Sequence, residues 1–517
     1  MGNVIAQPNA TFQLVSADQQ VQNAAQKVLF VGQKTAAGSA ADGSWHRNIA
    51  AGTENALFGQ TSQLAGMVRA AKRITDRVQF DAVALDDATG TARVVSVPLS
   101  GTATEGGTVY PTVGSSKLFR FGVPVQSGDT AATVVATAVA KVNENPFVPY
   151  TASAGTSAVT LTADNVGTVA NGDPVQIEGS VAGITLGTVT ETSAGATDPT
   201  LTSVLDVIGN ERYQTIVWPY PNDTAPVLDL LEPRFNAQNA VLDGVAFTAL
   251  SSTLASLLTL AATPDFNART LVLFADEQIT EARYLGPAVS ERGYIVAAQF
   301  AAIRALRLTP DAPISRFVTT NAGLDQTGGP ALASLPYFNT PMPDLPTPQP
   351  GRGFTDAEIE QLLDAGLAVV GQNPAGSAAI AGEVPTTFKT DPAGNPDITW
   401  KNLNSVDTAS QAREYFHNNV RLRFAQSRLT QGPVVAGRSM ANASVIRAFL
   451  VQLYSDLAGP DFALVQDGQQ AVDFFKDNIA ISLDLAQGRA VIQMKLPIVT
   501  QLRTIIATVQ IAFDTTG

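Results

Sequence analysis

The clearest secondary-structure pattern in this chain lies close to its C-terminus. Between residues 504 and 514, apolar side chains alternate with mostly polar ones, and one face carries Ile505, Ala507, Val509, Ile511 and Phe513. Because successive side chains of a β-strand point to opposite faces, this alternation predicts a strand that buries one face. Such a strand must pair with a sheet, either in the same chain or in a neighbouring chain that accepts it by strand addition.

Two further segments suit an extended, sheet-forming role. Residues 490–496 alternate in the same way, and Pro497 ends the pattern. Residues 1–28 are polar and show no clear period, which predicts an extended arm with a short strand at residues 12–15 that contains Phe12 and Leu14. We therefore expect an N-terminal arm over residues 1–28 and a C-terminal strand arm over residues 490–517.

Short apolar runs predict the buried strands of a core sheet. They cover residues 27–32, 80–85, 215–218 and 270–274. Helical spacing predicts helices at residues 56–71, 223–235, 247–262, 290–306, 407–424 and 442–458, and a capping box begins a further helix at Thr355. Strands that alternate with helices are typical of an α/β fold.

The composition changes between residues 88 and 204, which are rich in Thr, Val, Gly, Ala and Ser. Strand candidates cover residues 92–99, 117–121, 158–162, 175–178 and 185–192, and one helix candidate covers residues 130–143. This pattern predicts a mostly β domain inserted into the α/β core, which then comprises residues 29–87 and 205–489. A Pro-rich connector covers residues 335–353. The predicted fold class is a mixed, α+β or α/β, multidomain one.

One uncharged stretch is long enough to cross a bilayer, at residues 244–264. It carries seven hydroxyl side chains, and its apolar residues fall at helical spacing. These features predict an amphipathic helix and no membrane insertion. The N-terminal sequence has no basic segment followed by an apolar one, so we expect no signal peptide.

Composition restricts the chemistry that the chain can perform. The 517 residues include no cysteine, only two histidines, His46 and His417, and a net charge of −13. Disulfides and Cys-type metal sites are excluded, and few groups remain for imidazole relays. The acidic balance argues against a nucleic acid as the direct ligand, since that ligand requires a basic face. A charged fraction of only 15% suits a surface that meets copies of itself.

No catalytic motif is found in the sequence. It contains neither a G-x-S-x-G nucleophile turn nor a G-x-x-x-x-G-K-[ST] phosphate loop, and we expect no catalytic residue, cofactor or metal. The densest positive cluster comprises Arg413, Arg421, Arg423 and Arg428, on and just beyond a predicted helix. This cluster is either a solvated helix face or a face that meets an acidic partner.

A series of segments carries further information through its order along the chain. The segments are 27–38 (KVLFVGQKTAAG), 57–73 (LFGQTSQLAGMVRAAKR), 80–86, 127–132 with 159–163, 309–313, 354–370, 412–429 and 496–513 (LPIVTQLRTIIATVQIAF). In this order they resemble contractile tail sheath proteins of myophages, in particular the Mu-like sheath family. The chain departs from the family pattern at Thr61, where glycine is usual, and at Gln501.

The resemblance implies a structural subunit and no enzyme. In this family an inserted β domain protrudes from an α/β core, and the terminal arms add strands to sheets of neighbouring subunits. Stacked hexameric rings surround a tail tube in a metastable extended state, and a baseplate signal triggers the contraction that drives the tube through the host envelope. The implied partners are copies of the chain, the tail tube protein, the baseplate and the tail terminator or neck. The implied location is the virion tail, after assembly in the host cytoplasm.

The resemblance also identifies candidate functional residues. Phe12, Leu14 and the five apolar residues of the C-terminal strand, Ile505, Ala507, Val509, Ile511 and Phe513, are candidates for strand exchange between subunits. The arginine cluster is a candidate subunit or tube interface.

Two alternatives stay open at this stage. A sheath of another contractile particle, such as a secretion system or a bacteriocin-like particle, would have the same sequence features. An α/β enzyme with a β domain would instead form a small oligomer with a ligand pocket.

Overall fold

The structure, a computed structural model, describes residues 26–500 except 115–118, 237–243, 264–265, 290, 315–316, 318–326, 349–350 and 436. Within these ranges the strands are β1 Lys27–Gln33, β2 Ser44–His46, β3 Gln79–Leu85, β4 Ala92–Gly101, β5 Gly107–Val113, β6 Val123–Val125, β7 Tyr150–Ala154, β8 Ala158–Val166, β9 Val175–Gly179, β10 Ile184–Leu186, β11 Thr190–Ser193, β12 Thr215–Val217, β13 Val245–Ser252, β14 Leu271–Glu281, β15 Tyr284–Pro287, β16 Ala368–Gln372, β17 Ala378–Ile380, β18 Arg428–Leu429, β19 Met440–Ala441, β20 Ala480–Asp484 and β21 Arg489–Gln493. The α-helices are α1 Glu54–Phe58, α2 Gln63–Ile74, α3 Ala131–Glu144, α4 Ala225–Asn236, α5 Leu254–Ala261, α6 Gly293–Leu308, α7 Asp356–Asp364, α8 Leu403–Phe424, α9 Ala443–Ala458 and α10 Gln469–Asp477.

A parallel sheet forms the centre of the fold. Its strands follow the order β3, β1, β12, β13, β14 and β16, and β2 and β17 extend it antiparallel at the two ends. β1 and β3 end by residue 85, whereas the other parallel strands follow residue 214. Segments that are distant in sequence therefore share one sheet.

Both faces of this sheet are buried. Val28 and Phe30 of β1 pack into the apolar cluster that contains α2 and α6, while Leu29 and Val31 pack into the opposite cluster, which contains residues of α4, α5 and α7. A parallel strand covered on both faces buries every side chain and has a continuous apolar sequence. This explains why apolar runs located β1, β3, β12 and β14 correctly.

The residues between β3 and β12 build a second apolar core. β4, β7, β8, β10 and β11 form an antiparallel sheet, and this sheet packs with β5, β6, β9 and α3. β14 joins the two cores, because Phe274 and Ala275 pair with β16 of the parallel sheet and residues 278–281 pair with β15, which in turn pairs with β9. The predicted mixed α/β, multidomain fold class is confirmed, while the domain bounds stay predictions.

The predicted helix at residues 247–262 is wrong. Val245–Ser252 is a strand of the central sheet, and only Leu254–Ala261 is helical. Ala246 and Phe247 have parallel partners in both β12 and β14, so sheet pairing overrides the helical spacing of the sequence. The Thr253 hydroxyl accepts from the Ser256 amide at 3.3 Å and begins α5.

Other differences arise from turns inside predicted elements. The predicted helix at residues 56–71 is two helices, because Gly59 adopts a φ of 84° and Ser62 caps α2 by accepting from the Ala65 amide at 3.1 Å. The predicted strand at residues 185–192 is two strands, β10 and β11. β5 and β7 lie outside every predicted strand.

A buried ion pair fastens the long helix α8 to this core. The Arg304 guanidinium of α6 contacts the Asp407 carboxylate of α8 with an Nη2 to Oδ1 distance of 2.5 Å, and both side chains are almost fully buried. Arg304 also donates to the Gln214 carbonyl at 2.8 Å and to the Thr215 hydroxyl at 2.6 Å, so it links α8 to β12. Tyr337 donates to the second Asp407 oxygen at 2.9 Å.

We predict that Asp407→Asn destabilises the fold by about 3–5 kcal/mol, because the buried Arg304 charge loses its partner. Asp364→Asn is the matched control, since the 86% exposed Asp364 carboxylate pairs with Lys401 in solvent. For this exposed pair we expect a loss below about 1 kcal/mol. Urea unfolding of both variants measures the difference, and equal losses would contradict the assignment.

Candidate assembly surface

The C-terminal part of the described chain forms a compact unit beyond the central sheet. α9, α10 and the hairpin of β20 and β21 enclose their own apolar cluster, in which the rings of Tyr454 and Phe475 stack with centroids 4.5 Å apart. α8 connects this unit to the core. Leu403 and Val406 pack into the apolar cluster that contains α2 and α6, whereas Phe416 packs into the C-terminal cluster. The unit is therefore joined to the core by α8 and by Leu308 of α6 and Ala333, which pack into the same cluster.

The hairpin offers two open edges for further strands. Its pairing runs from Ala480 opposite Gln493 to Asp484 opposite Arg489, and within the described residues no third strand pairs with either side. Asp484 Oδ1 accepts from the Ala486 and Gln487 amides, and Gly488 with a φ of 62° completes the turn. Unpaired strand edges present backbone donors and acceptors to an incoming chain.

The two faces of the hairpin differ in what they contact. Ile481, Leu483, Ala490 and Ile492 pack against the C-terminal cluster. The surface of the unit exposes four large apolar side chains, each between 38% and 47% exposed: Phe474, Leu485, Val491 and Met494. An isolated two-stranded sheet is marginally stable in water, so additional strands would stabilise it.

The chain leaves the hairpin along a defined path. The Pro497 carbonyl accepts from the Gln466 amide at 2.8 Å, and the Val499 amide donates to the Leu464 carbonyl at 3.1 Å. The predicted strand at residues 504–514, with Ile505, Ala507, Val509, Ile511 and Phe513, lies outside the described residues, as do Phe12 and Leu14. Their role in strand exchange stays a prediction.

The predicted arginine cluster divides into two parts. Arg421 and Arg423 are exposed on the last turn of α8, and Arg428 is exposed in β18. Arg413 lies more than two turns earlier on α8 and is half-buried. Cations on the last turn of a helix interact favourably with its dipole, so local helix energetics alone would favour Arg421 and Arg423.

Sequence reasoning missed one member of this basic surface. Arg438 is exposed two residues before β19, and β19 pairs with the β18 strand that carries Arg428. Arg421, Arg423, Arg428 and Arg438 make no ion pair with any residue that the structure describes. We call these four residues the arginine surface. The pairing of β18 with β19 could not be read from two-residue strands.

The two histidines have ordinary structural surroundings. His46 Nε2 lies 2.9 Å from the Ser44 hydroxyl, its ring packs edge-on against Phe58, and burial lowers its pKa. His417 is half-buried on α8. Among the described residues no three His, Asp or Glu side chains come together as a metal-binding group, and no described helix combines the length and apolarity needed to span a bilayer.

A cavity of about 410 Å³ lies where the two cores meet. Ser251 lines it from the carboxyl end of β13 and Asp276 from the middle of β14, while Arg93 and Asp173 line it from the second core. Arg93 is fully buried; it donates to the Glu191 carboxylate at 2.6 Å and to the Asp173 carbonyl at 2.7 Å. Arg93, Glu191 and Asp173 all belong to the second core, so these contacts fix Arg93 within that core at the cavity wall.

Two carboxyl groups at the junction have pKa values above those of ordinary aspartates. Burial raises the pKa of Asp276 to about 7, although the carboxyl group accepts from the Glu277 amide at 2.9 Å. Burial also raises the pKa of Asp173 to about 6, against the opposing charges of Arg292 and Arg93. Neither residue was a sequence candidate, because burial of an isolated aspartate leaves no motif.

A comparison with curated proteins finds a relative across most of the chain. The chain is 26% identical over 465 residues to the Mu-like prophage FluMu tail sheath protein of Haemophilus influenzae, and the alignment covers 86% of this chain and 85% of the relative. The resemblance to Mu-like tail sheath proteins that the ordered motifs indicated is thereby confirmed. No protein-family model matches the chain.

Solved structures of similar proteins include two from bacteria. The sheath tail protein of Desulfitobacterium hafniense is 10% identical with a TM-score of 0.43, and the comparison covers 92% of this chain and 98% of that one. The sheath tail protein of Listeria innocua is 11% identical with a TM-score of 0.44, and 93% and 94% are covered. The contracted helical sheath of the anti-feeding prophage is 9% identical with a TM-score of 0.43, at 95% and 94% coverage.

We predict that the junction makes the fold less stable as pH rises through the pKa of Asp276. A folded-state pKa above the unfolded value means that the folded chain binds the proton more tightly, so this contribution is present at pH 4 and lost above about pH 7. Asp276→Asn, which carries no charge, should therefore gain on the order of 2 kcal/mol over the wild type at pH 8 and little at pH 4.5.

Urea unfolding of both proteins at the two pH values measures this difference. Asp461→Asn, at an exposed position, controls for loss of a carboxylate as such. A pH-independent difference between Asp276→Asn and the wild type would contradict the prediction.

Proposed function

We propose that this chain is the structural subunit of a contractile tail sheath. The observation that carries the proposal is the similarity to a tail sheath protein over 86% of the chain. Copies assemble as stacked hexameric rings around a tail tube in a metastable extended state. Contraction then drives the tube through the host envelope. The role is structural and not enzymatic, since the relative is a tail sheath protein.

Strand exchange is the proposed link between subunits. Within the described part of the chain no further strand pairs with either edge of the hairpin of β20 and β21, and the alternating sequence at residues 504–514 predicts one apolar face that needs a sheet. In a neighbouring subunit, this segment and the N-terminal arm, through Phe12 and Leu14, would pair with the hairpin edges and cover the exposed apolar side chains beside them. Main-chain hydrogen bonds would then join subunits without a large side-chain interface.

The assembly implies further partners. The tail tube protein lies inside the sheath, the baseplate triggers contraction, and the tail terminator or neck closes the other end. We place the subunit in the virion tail after assembly in the host cytoplasm. A sheath of a related contractile injection system is the second candidate, and the genes beside this one would distinguish the two.

We predict that Val509→Lys combined with Ile511→Lys abolishes assembly, because two charges on the apolar face prevent that face from being buried. Thr508→Lys combined with Gln510→Lys adds the same charge to the opposite face and should leave assembly intact. Negative-stain electron microscopy of the purified proteins is the measurement. Long hollow tubes are expected for the wild type and the control, and folded small particles for the apolar-face variant.

Two results would count against this function. Small particles from the wild type would favour the enzyme alternative, and normal tubes after deletion of residues 504–517 would exclude strand exchange through this segment. We expect that deletion to leave a folded, soluble core.

The arginine surface is the second proposed interface, with a neighbouring subunit or with the tube. We predict that Arg421→Gln combined with Arg423→Gln weakens one of these contacts, because exposed cations that form no ion pair with a described residue are available to an acidic partner. Arg77→Gln combined with Lys141→Gln removes the same charge from exposed positions elsewhere and serves as the control.

Sedimentation of sheath with and without its tube protein separates the two cases. If the arginine variant fails to assemble in the absence of the tube protein, the arginine surface is a subunit interface. If the variant assembles but does not bind the tube protein, the arginine surface is a tube interface. Behaviour identical to the control in both assays would rule out the arginine surface as an interface.

A further inference from the structure

A second basic region lies far from α8 in sequence, in a groove of about 480 Å³. The groove opens where α2, the start of α6 and the loop after α3 come together. Arg69, Lys72 and Arg73 line it from α2, and Arg292 lines it from the residue before α6. Residues three and four apart on a helix share one face, so α2 presents its three cations together.

The cations of the groove are unequally neutralised. Arg73 pairs with Asp344 at 3.6 Å, and Arg292 pairs with Glu291 at 3.5 Å. Arg69 donates to the Asn55 side-chain carbonyl and Lys72 to a backbone carbonyl, and neither forms an ion pair with a residue in the described part of the chain. Among the described residues, these two partly buried cations therefore have neutral hydrogen-bond partners.

The electrostatics of the groove favour an additional negative charge. The pKa of Arg69 falls to about 10 because of burial and of the neighbouring Arg292 and Arg73 charges, against which Glu54 acts only in part. Burial likewise lowers the pKa of Lys72. A carboxylate placed between these two side chains would stabilise both charged forms.

One wall of the groove is aromatic and open to solvent. Phe147, in the loop after α3, is 41% exposed, and its ring centroid lies 5.5 Å from the Arg69 guanidinium carbon. Phe119 and Ile295 complete the apolar lining. The groove therefore suits a segment that carries both a carboxylate and an apolar side chain.

We propose that this groove is a contact site between copies of the chain, and that it receives an acidic, partly apolar surface segment of a neighbouring copy. The proposal rests on the proposed function, which brings many copies into contact. Charge complementarity supports this occupant, because the chain carries 45 acidic against 32 basic residues and its net charge is −13. A copy of the chain therefore presents mainly negative charge to a neighbour's basic groove.

The first test removes the two cations without ion-pair partners. Arg69→Gln combined with Lys72→Gln should raise the protein concentration needed for tube formation about tenfold or more, and should reduce the salt dependence of assembly. Arg120→Gln combined with Lys141→Gln is the matched control, because these exposed cations are already paired with Glu178 and Glu144. Circular dichroism and the thermal midpoint establish that both variants are folded.

The second test identifies what enters the groove. Phe147 is replaced by photoreactive benzoyl-phenylalanine, the particles that this variant forms in the presence of the tube protein are irradiated, and cross-linked peptides are identified by mass spectrometry. A cross-link to an Asp- or Glu-containing surface segment of a second copy supports the proposal. Cross-links only to the tube protein, or none between chains, overturn it.

The assembly assay distinguishes an error in the groove proposal from an error in the proposed function. If the wild type forms tubes and the double variant matches its control, the groove proposal is wrong and the sheath function stands. If the wild type forms no tubes, the sheath function is wrong, and the cross-linking result still decides the groove.

Discussion

The buried contact between Arg304 and Asp407 joins the central core to the helix that leads into the C-terminal unit. Asp407 belongs to α8, and Arg304 reaches from α6 to Asp407, to the Thr215 side chain of β12 and to the carbonyl of the residue before β12. α8 is the element that continues from the central core into the C-terminal unit. A buried pair is strongly directional because a shifted partner leaves an unpaired charge, so the ion pair fixes the helix in one position. The open hairpin and the arginine surface are thus held at a defined place relative to the central sheet.

The sequence predicted well the features that depend on local hydrogen bonds or on the burial of both faces of a strand. Apolar runs located β1 and β3 because both sheet faces are covered, and the capping box at Thr355 located α7 because the Thr355 amide donates to the Glu358 carboxylate at 2.8 Å. The prediction at residues 247–262 failed because β12 and β14 impose strand pairing on residues that also satisfy helical spacing. Long-range pairing leaves no mark in the local sequence pattern.

Among the candidate interface residues, too, those close together in sequence were predicted and those brought together only by the fold were missed. The alternation in residues 490–496 predicted a strand there, and the second strand of the hairpin is Arg489–Gln493; the same alternation at Ile481 and Leu483 could have revealed the first strand. Arg421 and Arg423 were found because they are close in sequence. Arg438, Asp276 and the basic groove were missed because residues from separate elements create them, and only the fold brings those residues together.

A contractile sheath has to keep its subunits connected while their side-chain contacts change. Backbone ladders suit the first requirement: their hydrogen bonds depend little on side-chain identity or on salt. Interfaces between exposed charges suit the second, because such pairs are individually weak, screened by salt and able to re-form against a different neighbour. Among the described residues, the hairpin has strand edges that no further strand pairs with, and cations without an ion pair lie at the end of α8 and, as Arg69 and Lys72, in the groove beside α2. The low charged fraction of 15% fits this division, since each charge buried at a contact costs desolvation again whenever the contact is exchanged.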